Sequence, residues 1–550
     1  MQSKPNVEVV KHVQTNACML RFLEITSLSD IPKWYGVTEP ISFDFPSQEE
    51  IPQTLKLTET LKAADLFESH LQIEHREMVV RHLESLFKRW LTETCLDMNV
   101  PEVVTEKVGG RVLPFGSFAL GLNIKNSDID LLCLGPGFVP RQAFFSSFVE
   151  KLQAEKAIQI VQVIEDAFVP VIKLLVAGIE VDMVYAKIYR KSISDKMNLM
   201  DPTHLQGMDI HSVRSLQGYR VTQEILSLVP NVFTFRLVLT VIKHWAQCRN
   251  IYSNKMGFLG GVSWAILVAR ICQLYPYATA AVVVAKFFKV YSIWEWPIPI
   301  LLRNPEEQKL NFPVWNPKDN VRDRLHQMPI ITPSYPHQNS SYNVTASTRN
   351  IMMEEFKRGH NIMQEGFEKK TTWKNLFQQA VFFQDYKHYI ALRATAPTEA
   401  KHKEWTGYVE SKIRHLVGIL EKNPNILVAC PSLQTFPEKN GLGTTWVIGI
   451  KLSPGTTRSF SLNPDVLSFV QSVYANAESF RTEDMQLEAE YENKETYKHV
   501  IAAFVERQEE SAVVAPERRS APKRPHTPDS EPEAKRRKTE LISGRTRHSI

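Results

Sequence analysis

Cysteine is scarce in this sequence, and its placement suits no metal or disulfide framework. The six cysteines are scattered through 550 residues without a Cys-x-x-Cys pair, which argues against a zinc cluster or a disulfide scaffold and favours a reducing compartment. The first 16 residues are polar, so we expect no secretory signal peptide. The most apolar stretch, residues 257–275, contains two adjacent glycines and Arg270, which predicts a buried core helix and no membrane association.

Excess charge is also small over most of the chain. The net charge is +5, but residues 511–550 hold ten Lys/Arg and five Asp/Glu, which leaves 55 of each sign in the other 510 residues. A neutral body has no general field that attracts nucleic acid. Any RNA therefore has to be bound by local patches.

The C-terminal segment lacks apolar periodicity. From about residue 511 Pro, Ser, Arg and Lys dominate, which is the composition of a disordered tail. Two basic clusters flank a ten-residue spacer rich in proline and acid, the pattern of a bipartite nuclear localisation signal bound by importin; a solvated charge run or a nonspecific RNA-binding tail is the alternative. The clusters are Lys523 and Arg524, and Lys535, Arg536, Arg537 and Lys538.

Three blocks precede this tail. The first, about residues 76–190, alternates helix and strand patterns. The second, about 191–366, contains long amphipathic helical patterns, and the third, about 367–508, places strand-type runs around a helical pattern. The helical patterns cover residues 233–250, 261–274 and 404–420, and the strand-type runs cover residues 386–394 and 444–452.

A Gly-Ser turn followed by a pair of aspartates is the most informative segment. Gly116 and Ser117 follow an apolar stretch that ends at Phe115 and precede a helical pattern. Glycine lets the backbone approach closely, and the N–H groups of such a turn can bind triphosphate oxygens. Asp128 and Asp130 lie two residues apart on an apolar β-type stretch, so both carboxylates project from one face.

A third aspartate follows on a hairpin pattern. Residues 168–176 and 179–184 are strand-type runs joined by a two-residue Ala-Gly link. Alternation along the second run places Glu180 and Asp182 on the same face. Asp182 is therefore a candidate third carboxylate.

Three carboxylates beside a Gly-Ser turn suit phosphoryl or nucleotidyl transfer. Oxygen ligands favour Mg²⁺, and two such ions stabilise the attacking and leaving oxygens of an in-line displacement. In this hypothesis Asp128 and Asp130 bind both ions, and Asp182 lies beside an attacking RNA 3′-OH whose proton it accepts. A lone Asp-x-Asp is common on surfaces, but buried carboxylates without a metal or base partner are costly, which argues against a purely structural role for all three.

Longer sequence motifs accompany the Gly-Ser turn and the aspartates. The Gly-Ser turn, the Asp-x-Asp pair and the later aspartate are shared by the nucleotidyltransferase superfamily that includes DNA polymerase β. When the longer motifs are included, the sequence resembles the eukaryotic nuclear poly(A) polymerases over about residues 30–475. These motifs are FGSFALG at 115–121, DIDLLC at 128–133, EDAFVPVIKL at 165–174, NIYSNKMGFLGGVSWAILVARICQLYP at 250–276, WEWP at 294–297, MPIITPSYPHQNSSYNV at 328–344 and ESKIRHLVG at 410–418.

This resemblance implies an α+β multidomain fold with a polymerase-beta-like nucleotidyltransferase domain, a helical middle domain and an RRM-like C-terminal domain. The active site is then expected in the cleft between the first two domains. The expected limits are 1–75 for an N-terminal arm that partly packs on the middle domain, 76–190 for the catalytic domain, 191–366 for the middle domain, 367–508 for the RNA-binding domain and 509–550 for the disordered tail.

The resemblance also implies an activity, the template-independent transfer of AMP from ATP to the 3′ end of pre-mRNA, with two Mg²⁺ ions for which Mn²⁺ substitutes. It implies metal ligands at Asp128, Asp130 and Asp182. The positions that match ATP contacts are these three aspartates with Phe115, Gly116, Ser117, Lys243, Tyr252, Gly261 and Val262. The positions that match RNA contacts are Phe168, Lys173, Asn343 and Arg414.

Several of these residues have a different interpretation without the resemblance. Lys243 lies in a helical pattern where the residues alone favour solvent over a phosphate, and Tyr252 and Val262 alone suggest core positions. Lys173 interrupts an apolar strand and so needs an anion or acid partner. Gln217 stands where the family usually has Asn in Asn-Gly-Cys-Arg, and it could reach the same nucleotide or primer with one more methylene.

The resemblance further implies partners and a location. We expect a nuclear monomer that is recruited to RNA by the cleavage and polyadenylation specificity factor and assisted by the nuclear poly(A)-binding protein. A uridylyltransferase, a CCA-adding enzyme or a small-molecule nucleotidyltransferase would share the three carboxylates but not all the later motifs. A catalytically inactive RNA-binding scaffold would usually lose a metal ligand, whereas all three remain.

Overall fold

Two separate β-sheets, each covered by helices, carry the described part of the chain. The computed structural model describes residues 34–306, 308–369, 373–438, 441–456 and 460–493. The predicted nuclear localisation clusters, the predicted disordered tail and the first 33 residues lie outside this part.

The first sheet has five strands in the order β1-β2-β5-β4-β3. All neighbours pair antiparallel except β2 and β5, which are parallel. Ala177 and Gly178 both have positive φ and close the predicted hairpin between β4 and β5. The strands are β1 Arg111–Phe115, β2 Ile129–Pro136, β3 Ile158–Ile164, β4 Val171–Val176 and β5 Ile179–Ile188.

Both faces of this sheet are covered. One face packs on helices through a cluster of aromatic side chains, among which Phe144 stacks on Tyr185 at 4.9 Å between ring centroids. The other face carries a smaller apolar cluster that includes Leu132, Val184 and, from a distant loop, Tyr335. The α-helices along the chain up to residue 227 are α1 Glu50–Ala63, α2 His70–Asp97, α3 Glu102–Val108, α4 Gly116–Leu120, α5 Arg141–Phe145, α6 Ser147–Gln153 and α7 Ile210–Ser227.

A helical region follows the first sheet. Its core is aromatic: Trp245 meets Trp264 edge to face at 5.7 Å and stacks on Phe356 at 5.8 Å. Helix α1, from the N-terminal side, contacts this region at α10, and Phe45 stacks on Tyr277. The α-helices of the region are α8 Val232–Cys248, α9 Gly261–Leu274, α10 Ala280–Ser292, α11 Val321–Arg324 and α12 Ala346–Lys369, followed later by the short α13 Phe382–Asp385.

The second sheet has four antiparallel strands in the order β7-β8-β6-β9. Along the chain its elements run strand, helix, strand, strand, helix, strand, which is the ferredoxin-like arrangement of RRM domains. The predicted RRM-like fold is therefore confirmed. Its elements are β6 His388–Thr395, α14 Glu399–Leu420, β7 Ile426–Pro437, β8 Gly443–Leu452, α15 Asn463–Ala475 and β9 Gln486–Asn493.

Predicted element limits agree with the structure to within a few residues, with two informative differences. The strand predicted from residue 168 begins at Val171, because the preceding residues form a loop that ends in Pro170, which has no N–H to donate to a neighbouring strand. The helix predicted from residue 404 begins at Glu399, since the side chain of Thr398 caps it by accepting from the N–H of Lys401. The predicted domain limits remain predictions.

The predicted core helix at residues 261–274 is buried from Ser263 to Leu274. Among the described helices, none by itself has both the length and the apolarity to cross a membrane. Helices α7 and α8 reach that length and composition only as a pair that bends by 119° between them.

Candidate active site

One row of paired residues crosses the first sheet and carries the candidate site. Phe115 of β1 pairs with Asp130 of β2, Asp130 pairs with Asp182 of β5, and Asp182 pairs with Lys173 of β4. Directly paired residues project to the same face of a sheet. Four strands therefore deliver an aromatic ring, two carboxylates and an ammonium group side by side.

The carboxylates form a compact cluster. Oxygens of Asp128, Asp130 and Asp182 all lie within 4.8 Å of one another, with Asp128 exposed and the other two half-buried. Lys173 makes an ion pair with Oδ2 of Asp182. An all-oxygen donor set of this kind fits a hard divalent cation. The three predicted ligands are thus brought together, and they could hold a metal.

The charges of the cluster also favour a bound divalent cation. Burial first, and then the charges of Asp128 and Asp182, raise the pKa of Asp130 to about 7, against the opposing charges of Lys173 and Lys243. Three carboxylates crowded into partly buried surroundings repel one another, and a cation bound among them relieves that repulsion. The donor set and its charge both fit a divalent ion.

The Gly-Ser turn packs directly against the carboxylate cluster, so closely that no side chain fits at Gly116. Gly116 has φ +63°, and a Cβ built there would lie 2.1 Å from Oδ2 of Asp130. Its backbone N–H donates to Oγ1 of Thr222, at 3.1 Å. The hydroxyl of Ser117 is buried and has no hydrogen-bond partner among the described residues. A buried hydroxyl without a partner beside three carboxylates is what a site for a polar ligand presents.

Phe115 is held in place by a second glycine. A Cβ built on Gly218 of α7 would lie 2.6 Å from Cε2 of the Phe115 ring. Helix α7 therefore packs its bare backbone against the ring. The same helix carries Thr222, so both ends of the Phe115-Gly116 step are fixed by α7.

Lys243 faces the carboxylates rather than solvent. Burial lowers the pKa of Lys243, while the charges of Asp128 and Asp130 act in the opposite direction. The solvent-facing interpretation from the residues alone is therefore wrong, because the fold places this partly buried side chain within electrostatic range of the two aspartates. Burial and the same two aspartates raise the pKa of Tyr252 to about 12, so its hydroxyl stays protonated.

Tyr252 also defines the position of the α9 N-terminus. A Cβ built on Gly261 would lie 2.8 Å from the Tyr252 hydroxyl oxygen, so the glycine gives that hydroxyl its space. The side chain of Val262 is 40% exposed, which contradicts the core position suggested by the residues alone. Lys243 and Tyr252 thus lie within electrostatic range of the aspartates, Gly261 contacts Tyr252, and Val262 follows Gly261 along the same helix.

The predicted RNA-contact residues are less closely grouped. Lys173 belongs to the cluster through Asp182. Phe168 is 64% exposed, and the guanidinium of Arg214 lies 3.7 Å from its ring centroid. Asn343 donates to Oδ1 of Asn254, at 2.9 Å. Arg414 donates to the backbone of its own helix, to the carbonyl of Ser411 at 2.6 Å, and among the described residues it makes no hydrogen bond or ion pair with the aspartates.

The side chain of Gln217 is hydrogen-bonded to the backbone of this protein. Its Nε2 donates to the carbonyl of Ser334 at 2.7 Å and to that of Pro336 at 3.3 Å. Its Oε1 is buried without a partner among the described residues. The extra methylene of glutamine therefore reaches a loop of the helical region, a contact that sequence alone did not predict.

Three residues that support the site, Gly218, Thr222 and Arg214, were not predicted from the sequence. Gly218 carried a usable signal, because a glycine inside a helical pattern needs a packing or functional reason. Thr222 and Arg214 carried none, since their partners Gly116 and Phe168 lie far away in sequence and meet them only in the folded chain.

Comparison with known proteins agrees with this geometry. The sequence matches three family models in succession: the poly(A) polymerase nucleotidyltransferase domain over residues 36–229, the poly(A) polymerase central domain over residues 234–379 and the poly(A) polymerase predicted RNA binding domain over residues 381–443. The chain belongs to the poly(A) polymerase family. The first match contains the whole carboxylate cluster, and the second contains Lys243, Tyr252 and Gly261.

Individual relatives show how far this family likeness extends. The chain is 40% identical over 454 residues to the poly(A) polymerase of Dictyostelium discoideum, which covers 80% of this chain and 56% of that protein. It is 41% identical over 399 residues to nuclear poly(A) polymerase 2 of Arabidopsis thaliana, which covers 72% of this chain and 50% of that protein. The chain thus spans about half the length of these relatives.

A solved structure of the Cid1 poly(U) polymerase also matches. It is 15% identical, covers 61% of this chain and 100% of that chain, and has a TM-score of 0.41. At this level of similarity nothing about substrate or mechanism follows.

Proposed function

We propose that this protein is a template-independent polynucleotide adenylyltransferase that adds AMP from ATP to the 3′ end of RNA. The observation that carries the proposal is the cluster of Asp128, Asp130 and Asp182 beside the Gly116-Ser117 turn, in a chain of the poly(A) polymerase family. The oxygen of the RNA 3′-OH attacks the α-phosphorus of ATP and forms the new P–O bond. The bond from that phosphorus to the bridging oxygen breaks, and pyrophosphate leaves.

Each residue of the site has a defined task in this reaction. Asp182 accepts the proton of the 3′-OH on a carboxylate oxygen, and Lys173, its ion-pair partner, holds the carboxylate in position. The N–H and hydroxyl of Ser117, with Lys243 and the Tyr252 hydroxyl, bind the triphosphate, and Gly116, whose own N–H donates to Thr222, lines the site. Phe115, Gly261 and Val262 line the nucleotide site.

Asp128, Asp130 and Asp182 would hold the divalent ions. Two Mg²⁺ ions, or Mn²⁺ in their place, supply Lewis acidity that stabilises charge on the attacking and leaving oxygens when they are bound. The carboxylates themselves fix where that positive charge lies relative to the Gly116-Ser117 turn.

RNA and protein partners follow from the same proposal. Phe168, Lys173, Asn343 and Arg414 contact the RNA, whose exposed bases can stack on the Phe168 ring. The domain limits 1–75, 76–190, 191–366, 367–508 and 509–550 belong to this proposal. The cleavage and polyadenylation specificity factor and the nuclear poly(A)-binding protein are its proposed protein partners, and the chain acts as a monomer.

We place the protein in the nucleus. Two relatives are named nuclear poly(A) polymerases, and the basic clusters that begin at Lys523 and Lys535 match an importin-binding pattern.

The test is extension of a labelled oligo(A) primer by the purified full chain with Mg²⁺ and each of the four nucleoside triphosphates. Long products with ATP alone are expected. Asp182→Asn should lower the rate by about 100- to 10,000-fold, the range for a positioned general base. Glu180→Gln is the matched control, because Glu180 lies on the same strand and face but is exposed and outside the cluster.

Other outcomes would overturn the proposal. Extension with UTP would make the protein a uridylyltransferase of the same superfamily. No extension with any nucleotide, by a chain that still binds oligo(A), would make it an RNA-binding scaffold.

A further inference from the structure

Helix α8 carries a stripe of three polar residues along one side. Arg236, Thr240 and Lys243 lie at positions i, i+4 and i+7, which fall on the same side of a helix. The Thr240 hydroxyl donates to the carbonyl of Arg236, at 2.9 Å. Lys243, at one end of the stripe, lies within the electrostatic reach of Asp128 and Asp130.

Arg236, at the other end of the stripe, is attached to the Gly-Ser turn. Its Nε–H donates to the carbonyl of Leu120 at 2.7 Å, and Leu120 is the last residue of the short helix α4 that begins at Gly116. The last carbonyls of a helix lack partners within the helix. A positively charged donor satisfies one of them here.

Gly121, the residue after Leu120, leaves room for the Arg236 side chain because it has no side chain of its own. Gly121 has φ +78°, and a Cβ built on it would lie 2.7 Å from both Cζ and Nε of Arg236. The guanidinium therefore packs directly on bare backbone. Among the described residues, no carboxylate lies within ion-pair distance of Arg236, so its contact with the end of α4 is its main polar attachment.

The contact joins parts of the chain that match different family domains. Helix α4 lies in the segment that matches the nucleotidyltransferase domain, and α8 lies in the segment that matches the central domain. Seven residues along a helix span about 10 Å. One rigid helix thus holds the turn that contains Ser117 at one point and directs Lys243 at the carboxylates at another.

We propose that Arg236 is a positioning residue that sets the distance between the Ser117 turn and Lys243, and thereby the geometry of the triphosphate site. The inference rests on the proposed function, because it specifies how the ATP side of that site is assembled. Loss of Arg236 should weaken ATP use without affecting the primer side, since Lys173, Phe168 and Asp182 are held by other strands and by α7.

Arg249 provides a matched control. It lies at the opposite end of the same helix and also donates to a backbone carbonyl, that of Gln378, at 2.7 Å. It pairs with Glu355, away from the carboxylate cluster. A purely structural role for Arg236 would make the two alanine variants alike.

The experiment measures KM for ATP, KM for oligo(A) and kcat for the full-length wild type, Arg236→Ala, Arg236→Lys and Arg249→Ala. Arg236→Ala should raise KM for ATP by about 10- to 100-fold, the effect of misplacing a contact by up to 1 Å, with KM for oligo(A) unchanged. Arg236→Lys keeps a cationic donor and should recover part of the loss. Arg249→Ala should keep both KM values.

Equal KM values for ATP in the Arg236→Ala and Arg249→Ala proteins would overturn the inference, as would parallel rises for ATP and primer. If Arg236→Ala does not fold, Gly121→Ala tests the same contact from the other side. Gly178→Ala, with φ +82° and nothing within 4 Å of its built Cβ, then controls for the backbone strain. A wild-type protein that extends no primer contradicts the proposed function instead, so the two failures are distinguishable.

Discussion

Replacement of Gly116 by alanine tests how closely the nucleotide turn and the carboxylates are fitted together. Two costs are expected. The left-handed backbone at φ +63° costs a residue with a Cβ about 1–2 kcal/mol. The new methyl would also lie 2.1 Å from Oδ2 of Asp130, so the carboxylate has to retreat by at least about 1.3 Å to reach ordinary van der Waals contact, which begins near 3.4 Å.

The second cost is the one that affects catalysis. A displacement of about 1 Å in a catalytic group can lower the rate by roughly 100-fold. We therefore expect kcat/KM for primer extension to fall by about 100-fold in Gly116→Ala. Gly178→Ala separates the two costs, because Gly178 has a similar positive φ but open space around its built Cβ.

The assay is steady-state primer extension with ATP, accompanied by thermal unfolding of each variant. Gly116→Ala and Gly178→Ala should lower the unfolding midpoint by similar amounts, whereas only the first should lose activity. Equal activity in the two variants would show that Asp130 is not held by the bare backbone of Gly116, or that its exact place does not matter.

Two further predictions concern helix α7. Replacing a glycine inside a helix by alanine normally raises the free energy of unfolding by about 0.5–1 kcal/mol. Gly218→Ala should instead destabilise the protein and raise KM for ATP, because its methyl would lie 2.6 Å from the Phe115 ring. Gly407→Ala, in a helix with nothing within 4 Å, should show the normal gain, and the same gain in both variants would contradict the packing argument. Gln217→Leu removes the donor from two backbone carbonyls and should cost about 1–3 kcal/mol; an unchanged unfolding midpoint measured by calorimetry would contradict this.

The strand face on which each aspartate lies could be predicted because that information is local. Alternation along β5 places Asp182 with Glu180 rather than with the buried Val181, and a strand has only two faces. The limits of α8 and α9 could likewise be predicted from apolar periodicity. Each of these predictions depends on residues close together in the chain, whereas the pairing of β2 with β5 that brings the aspartates together does not.

Contacts between distant segments could not be predicted in this way. The direction of Lys243 depends on which face of α8 packs into the helical core around Trp245, and the lysine's neighbours in sequence do not decide that. Gln217 shows the same limit, because its partners lie on a loop more than a hundred residues later. The family resemblance predicted a role for Lys243 at the site. It could not predict the contacts of Gln217, because this residue departs from the family pattern.

The parallel pairing of β2 with β5 has a consequence for how this protein is made. Asp130 and Asp182 lie roughly fifty residues apart along the chain, and β5, the last strand of its sheet to be synthesised, lies between β2 and β4. Parallel neighbours of this kind pair only after the intervening chain has crossed over. A nascent or partly unfolded chain therefore exposes Asp128 and Asp130 without their partner, and a slip of one residue in β5 would replace Asp182 by an apolar neighbour. Insertion of the final strand completes the sheet and the carboxylate cluster in the same event, so an incompletely folded chain has no assembled site with which to act on nucleotides.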